Sequence, residues 1–201
     1  IKGSKFLSSL DQDWNSLVSS VGPCKLNLSI ELEPYQALIK SVIFQQLRPA
    51  SATAIFNRFK QNFDNNFPTE EKILASPESK FKESGLSLNK RKTIIEIARH
   101  VQKGELENRQ DFLMMNDSQI IEKLTKIKGI GEWTAQMLMI FNLGKLDVFP
   151  AGDFALRKNY SLFKSIASPL TMRELSKISE EWKPFRSIAA WYLWRYRNIL
   201  N

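Results

Sequence analysis

Asp153 is the residue whose type and position best suit chemistry. It follows a Pro-Ala-Gly segment and stands directly before a helix predicted at Phe154–Ser165. A carboxylate in such a position can stabilise a developing positive charge and orient or deprotonate an attacking water. It can also do no more than cap the helix, which is a common role for aspartate. The chain has a single histidine, His100, which leaves little room for histidine-based catalysis or a histidine-ligated metal.

Gly129 and Gly131 enclose Ile130 in a turn between two predicted helices. The second helix starts at Glu132 and runs to about Leu143, so its unpaired N–H groups and positive dipole end favour an anion such as phosphate. Glycine can take positive φ and, lacking a side chain, lets another backbone come close. Three lysines add positive charge beside the turn: Lys123, Lys126 and Lys128. An ordinary helix pair with a glycine C-cap explains the same pattern without a ligand.

The charge balance favours a polyanionic partner. The 201 residues include 29 Lys and Arg against 21 Asp and Glu, a formal net charge of +8, and an excess of this size is typical of nucleic-acid binding. Charge alone leaves open a basic protein that binds nothing specific. The only cysteine, Cys24, excludes an intrachain disulfide and a cysteine-ligated zinc or iron–sulfur site within this sequence.

Apolar residues recur at helical spacing, and no alternating strand pattern of useful length occurs. This predicts an all-α fold of about ten helices, and the longest apolar runs are too short to span a bilayer. One helix starts at Glu33-Pro34 and ends at Gln45-Gln46. Further helices are predicted at Ser51–Phe63, Asn89–Gln102, Thr171–Glu181 and Arg186–Leu200. The last is apolar on almost every side, so we expect it to be buried.

A stiff turn is predicted at Leu47-Arg48-Pro49, between two of these helices. Proline forces the preceding Arg48 out of helical geometry, so Leu47 and Arg48 should stand at the tip of a knuckle. Taken alone, the pattern also fits a core leucine beside a solvated arginine.

Four ordered motifs carry a resemblance to a known family. They are FQQL at 44–47, GLS at 85–87 with KRK at 90–92, KGIGEWT at 128–134 followed by DVFPAGD at 147–153, and WKPFRS at 182–187 with AWYLWR at 190–195. In this order they resemble the helix-hairpin-helix/Gly-Pro-Asp superfamily of DNA glycosylases, nearest to its alkylpurine (3-methyladenine) branch. The resemblance runs from about Ile30 to Ile199, most of the chain.

The resemblance implies a two-lobed, all-α DNA glycosylase fold with an active-site cleft between the lobes. One lobe would comprise residues 35–149 and carry the helix-hairpin-helix at about 120–143. The other would comprise residues 1–34 and 150–201 and carry Asp153.

The resemblance also implies a role for Asp153. Removing a base from DNA breaks an N-glycosidic bond through an oxocarbenium-like state, and Asp153 would stabilise that charge and direct the attacking water. A purine such as 3-methyladenine already carries positive charge, so one carboxylate suffices without a protein acid. Asp147 matches a second family acid, and we expect it to shape the loop and not to react.

Position 133 separates the branches of the family. Members that also cleave the backbone carry a lysine there that forms a Schiff base, whereas Trp133 implies a monofunctional, water-using reaction without lyase activity. Its π face suits an electron-poor cationic base. The resemblance places four further residues in the base pocket: Gln45, Met137, Phe154 and Trp194. Core packing is the alternative for Trp133 and Trp194.

The resemblance assigns DNA contacts to the glycine turn and to the knuckle. The residues are Lys128, Gly129, Ile130, Gly131, Leu47, Arg48 and Pro49. In the family the loop that matches the knuckle probes the minor groove and fills the gap left by a flipped base, a task that suits an apolar wedge and an arginine. The usual pattern there is a small residue or histidine and then a lysine two positions on, where this chain has Arg48-Pro49-Ala50. Relatives hold a monovalent cation on the turn's carbonyls; we expect no other metal and no cofactor.

These features predict a monofunctional DNA-3-methyladenine glycosylase type hydrolase, which removes alkylated purines in the first step of base excision repair. The expected partner is double-stranded DNA with a damaged, flipped base, and we expect a monomer without membrane association. The expected location is the bacterial cytoplasm and nucleoid or the eukaryotic nucleus. The alternative is a catalytically weak or silent binder of damaged or abasic DNA, which the altered loop motivates. A helical interaction module with no nucleic-acid role is a third hypothesis.

Overall fold

Helices are the only regular secondary structure in residues 2–196, the part of the chain that its computed structural model describes. Within that range there are thirteen α-helices, one 3-10 helix and no strand. The α-helices are α1 Lys2–Ser8, α2 Gln12–Val21, α3 Pro34–Phe44, α4 Pro49–Gln61, α5 Glu70–Ala75, α6 Glu78–Glu83, α7 Leu88–Gln102, α8 Arg109–Met114, α9 Asp117–Thr125, α10 Glu132–Phe141, α11 Phe154–Phe163, α12 Met172–Ser179 and α13 Arg186–Tyr196. The 3-10 helix, Glu180–Trp182, follows α12. The predicted all-α class is confirmed.

One compact unit comprises Ser29–Leu138. In it α3 packs against α4 and α7, and α7 also packs against α5. The apolar faces of α3 and α7 are fully buried at Leu38, Ile39, Val42, Ile43, Ile94 and Ile97. Because α7 lies in the middle of this packing, side chains on its first turns can reach the loops at the ends of neighbouring helices.

A second compact unit comprises residues 2–28 and 139–196. In it α13 packs against α1, α2 and α11, and its residues from Ser187 to Leu193 are all buried. The predicted burial of this helix is confirmed, while the predicted extension to Leu200 lies outside the described residues. The 35–149 lobe that the family resemblance implies stays a prediction about domain organisation.

The start of α4 and the end of α10 differ from the predicted residues because of local chain geometry. α4 begins at Pro49 and not at Ser51, with Arg48 as an extended N-cap (φ −67°, ψ 143°), because proline is well suited to the first helical position. α10 ends at Phe141, short of the predicted Leu143. There Gly144 takes a φ of 71° and the Lys145 N–H bonds back to the carbonyl of Met139 at 2.9 Å, which closes the helix.

Candidate active site and nucleic-acid interface

Asp153 is the N-cap of α11, and both of its carboxylate oxygens are engaged. Its backbone is extended (φ −66°, ψ 116°), and the side chain accepts a hydrogen bond from the Leu156 N–H at 3.1 Å. The second oxygen accepts from the indole Nε1 of Trp194 at 3.4 Å. The side chain is half-buried. The capping role and the predicted chemical role therefore fall on one residue, held in a defined orientation.

The segment that leads to Asp153 is tied to the start of α13. Arg186 forms a two-pronged ion pair with Asp147, with Nε–Oδ1 at 2.8 Å and Nη2–Oδ2 at 3.1 Å. Ser187 is fully buried; its Oγ accepts from the Val148 N–H at 3.0 Å and lies 2.8 Å from the Lys145 carbonyl. Asp147 thus serves the loop's structure, as the sequence predicts, and the loop fixes where Asp153 begins its helix.

Two of the predicted pocket residues, Trp194 and Phe154, lie in the same unit as Asp153. Trp194 is half-buried and stacks on Phe141, with ring centroids 5.8 Å apart and planes at 28°. Phe154 is 60 % exposed and lies beside the guanidinium of Arg157, whose Cζ is 5.5 Å from the ring centroid. The structure therefore brings Trp194 directly to Asp153 and leaves the ring of Phe154 largely open.

The other predicted pocket residues lie in the unit Ser29–Leu138. Trp133, on the first turn of α10, is 37 % exposed, which does not fit the core-packing alternative. Gln45 donates from Nε2 to Oγ1 of Thr134 at 2.8 Å, so it lies beside the same turn of α10. Met137 is buried, with 7 % of its surface exposed, so it contributes mainly to packing.

Residues 126–131, here called the hairpin, connect α9 to α10 as the sequence predicts. Lys128, Gly129 and Gly131 are exposed, whereas Ile130 is buried with 4 % exposure. The DNA contact at Ile130 stays a prediction, and the buried side chain leaves only the main chain of this residue to make it. α10 starts directly after this turn, so its positive dipole end faces the same exposed surface.

The two hairpin glycines are required for different reasons. Gly129 has a φ of 95°, and a Cβ at this position would collide with Oγ1 of Thr93 on α7. Gly131 does not use the positive φ that glycine allows, and it has open space around it. Gly131 thus lets another backbone come close, whereas Gly129 allows the chain to turn.

A monovalent cation on the hairpin carbonyls stays a prediction. The Gly131 carbonyl accepts one hydrogen bond, from the Ala135 N–H at 3.1 Å, and a carbonyl oxygen has a second lone pair to offer an ion. Elsewhere in the described residues no cluster of three or more His, Cys, Asp or Glu could hold a metal.

Residues 45–49, the knuckle, form an exposed turn between α3 and α4. Gln46 has a φ of 55°, unusual for a residue with a side chain, and the Leu47 N–H bonds to the Phe44 carbonyl at 3.4 Å. Arg48 and Pro49 are exposed, and Leu47 is 37 % exposed. The exposed leucine does not fit the core alternative, while the wedge role of Leu47 and the groove contact of Arg48 stay predictions.

A basic groove of about 790 Å³ lies between the knuckle and the hairpin. Its wall includes Gln45, Gln46, Lys90, Lys92, Lys128 and Gly129. The sequence pattern identifies most of these positions but misses a contact of Lys90, whose Nζ lies 2.8 Å from the carbonyls of both Ile43 and Gln45. The contact joins residues 45 and 47 positions apart in the sequence, so no local pattern indicates it.

A sequence profile of the HhH-GPD superfamily of base excision DNA repair proteins matches residues 39–184, which include the knuckle, the hairpin and Asp153. The chain belongs to this family. Within HhH-GPD it falls among the 3-methyladenine DNA glycosylases of base excision repair. No helix of the described residues has the length and apolarity to cross a bilayer.

Named HhH-GPD relatives match over nearly the whole chain. DNA-3-methyladenine glycosylase 1 of Schizosaccharomyces pombe is 40 % identical over 197 residues, 97 % of this chain and 86 % of that protein. The alkylbase DNA glycosidase-like protein mag2 of the same yeast is 36 % identical, over 96 % of this chain and 92 % of mag2. The solved structure of the S. pombe 3-methyladenine DNA glycosylase Mag1 with abasic DNA has a TM-score of 0.92 at 39 % identity, covering 97 % of this chain and 96 % of that one.

Proposed function

We propose that the protein is a monofunctional DNA glycosylase that hydrolyses the N-glycosidic bond of alkylated purines in double-stranded DNA. The observation that carries this proposal is the carboxylate of Asp153, half-buried at the start of α11 and oriented by the Leu156 N–H and the Trp194 indole. A carboxylate fixed in this way can stabilise an oxocarbenium-like sugar and hold the attacking water.

Two features support the proposed substrate class: Asp153 is the one acid assigned to the reaction, and Trp133 presents an exposed ring. Departure of a neutral purine needs a proton donor, whereas an alkylated purine is already cationic and leaves without one. Trp133 is more than one third exposed, so its π face can accept a flipped, electron-poor base. Position 133 holds no amine, so no Schiff base with the sugar can form there and water completes the reaction.

DNA binding rests on the hairpin and the knuckle. The exposed main chain at Gly129 and Gly131 and the start of α10 suit a phosphate of the damaged strand. A monovalent cation on the hairpin carbonyls would add positive charge beside that phosphate. Leu47 and Arg48, exposed at the tip of the knuckle, suit the minor groove at the flipped nucleotide. The expected complex is one monomer on one damaged duplex.

The test is base release from methylated duplex DNA by wild type and Asp153→Asn. We expect a loss of roughly a thousandfold in rate, or about 4 kcal/mol of barrier. Asparagine caps helices as well as aspartate does, so the melting temperature should be nearly unchanged. An Asn variant within tenfold of wild type would overturn the assignment of Asp153.

A matched control is Asp11→Asn. Asp11 is the N-cap of α2 and accepts from the Trp14 N–H at 2.8 Å, so the same chemical change is made at the same helix position. Base release should stay at the wild-type rate. A comparable rate loss in both variants would mean that the Asp153 effect comes from altered helix capping and not from the reaction.

A silent binder of abasic DNA is the second candidate. The observation that favours it is the knuckle, where Arg48-Pro49-Ala50 replaces the small residue and lysine usual in the family. The same assay separates the two: a binder would hold abasic duplex tightly and release no base from any methylated substrate.

A further inference from the structure

We infer that Lys90 is a positioning residue, which sets the knuckle against the hairpin and so determines how strongly the protein prefers damaged over undamaged duplex. The preference in question is that of the DNA glycosylase proposed above, so the inference rests on that proposal.

The first observation is the set of bonds that Lys90 makes. Its Nζ lies 2.8 Å from the carbonyl of Ile43, in the last turn of α3, and 2.8 Å from that of Gln45, the first knuckle residue. These carbonyls lie at the negative end of the α3 dipole, where a cation is stabilising. Partial burial lowers the pKa of the Lys90 ammonium from its ordinary value. The charge of the Lys90 ammonium therefore interacts with main-chain carbonyls of the protein itself.

The position of Lys90 does not stabilise its own helix, α7. It lies in the first turn of α7, which Ser87 caps by accepting from the Lys90 N–H. A cation at the N-terminal end of a helix opposes that helix's dipole. The stabilisation that offsets this unfavourable interaction must come from the bonds to two carbonyls, one in α3 and one in the knuckle.

One turn along the same face of α7, Thr93 contacts the hairpin. Its side chain is buried and fills the space beside Gly129, where even a Cβ would collide with it. Lys90 and Thr93 are three residues apart and so lie on one face of the helix. The first two turns of α7 thus touch the knuckle with one side chain and the hairpin with the other.

The knuckle has a second tie to the hairpin side. Gln45 donates from its side chain to Thr134 in the first turn of α10, while its carbonyl is held by Lys90. Gln46 must then take a φ of 55° for the chain to turn toward Leu47 and Arg48. Lys90 compensates for that strained conformation by fixing the residue before it. A groove-probing tip and a phosphate anchor held at a fixed spacing can together select a distorted duplex.

The variant to test is Lys90→Met, which keeps the length of the side chain and removes both bonds. Hydrogen exchange of the DNA-free protein should be faster in the knuckle by about tenfold, the scale of a lost charge-assisted hydrogen bond. The ratio of affinity for abasic over undamaged duplex should fall on the order of tenfold. The salt dependence of binding to undamaged duplex should not change, and Lys90→Arg should restore the ratio in part.

Lys82→Met is the charge-matched control, since Lys82 is an exposed lysine in the last turn of α6; it should leave knuckle exchange unchanged. If Lys90→Met does not fold, Lys90→Gln keeps a donor for one carbonyl and is measured in the same way. Unchanged knuckle exchange would overturn the inference. So would an equal loss on every duplex with a salt slope lower by about one, the result for a phosphate contact. The exchange measurement uses no DNA, so wild type that released no base would contradict the proposed function and leave the role of Lys90 standing.

Discussion

The indole Nε1 of Trp194 donates a hydrogen bond to Asp153 across 3.4 Å. The other oxygen of the carboxylate is already engaged by the Leu156 N–H, so a helix cap and an aromatic donor together fix both oxygens. Core packing and a place in the base pocket are alternatives for Trp194 on sequence grounds; the structure shows packing together with a contact to Asp153, and the place in the pocket stays a prediction. The ring packs against the core of its unit while its polar edge reaches the carboxylate.

Trp194→Phe should lower the rate of base release by about tenfold, the scale of one hydrogen bond to a charged group. Phenylalanine keeps an aromatic ring against Phe141, so the melting temperature should change little. Single-turnover kinetics on methylated duplex measures the effect on the chemical step. A wild-type rate would show that the indole N–H does not orient Asp153 for reaction.

Gly131→Asp should weaken binding to damaged and undamaged duplex alike, because it puts a side chain and a negative charge where a phosphate is expected. There is open space around Gly131, so the fold should tolerate the change. Gel-shift or anisotropy titrations on both duplexes provide the measurement. Unaltered affinity for undamaged DNA would remove the hairpin from the binding surface.

Gly129, two residues before Gly131, should respond differently to substitution. Gly129→Ala should destabilise the protein by at least about 1 kcal/mol, because the residue has positive φ and no room beside Thr93. Gly131→Ala should be neutral for stability. Equal melting temperatures for the two alanine variants would contradict the distinct roles assigned to the two glycines.

Arg48→Ala should change the ranking of damaged and opposing bases more than it changes the salt dependence of binding. An arginine in the minor groove senses local shape, whereas a phosphate contact contributes about one unit of salt slope. Pro49→Gly should blur the same ranking by loosening the first turn of α4. Excision and salt-titrated binding across a panel of lesions distinguishes these outcomes. A uniform loss with a flatter slope would reassign Arg48 to the backbone and leave the wedge to Leu47.

Asp11→Asn should reduce stability slightly at neutral pH, by about 0.5 kcal/mol for a partly exposed pair. Burial raises the pKa of Asp11, but the hydrogen bond from Lys164 and the Trp14 N–H lower it by more. A carboxylate whose folded pKa is depressed stabilises the fold above its ordinary pKa, and that stability is lost as pH falls through the folded value. The two melting temperatures should therefore converge as pH falls below the lowered pKa of Asp11. A difference that persisted in acid would show that the cap, and not the charge, is responsible.

Short-range patterns predict much of this fold. The spacing of apolar residues locates α3, α7 and α13, and Pro49 correctly predicts that Arg48 leaves helical geometry. The C-terminal end of α10 and the existence of α1 are harder to predict. A helix stops where one backbone bond, such as that from Lys145 to Met139, replaces the next turn, and several residues nearby could make such a bond.

The contacts that hold the site are less accessible to sequence reasoning. Lys90 looks like one of three successive cations at the start of a helix, and nothing local shows that it alone turns toward α3. Gly131 looks equivalent to Gly129, yet only the latter has positive φ. In both cases the neighbour that decides the role is distant in sequence, so its identity emerges only when the helices are packed.

Asp153 caps α11, and the role proposed for it in the reaction can be separated from capping by mutation. Because asparagine satisfies the Leu156 N–H as well as aspartate does, a change to asparagine keeps the helix cap and loses only the acceptor for the Trp194 indole. The two amino acids are one nucleotide apart in the genetic code. A duplicated gene can therefore lose the reaction in a single mutational step, while its product stays folded, keeps its hairpin and knuckle, and remains exposed to selection as a reader of damage.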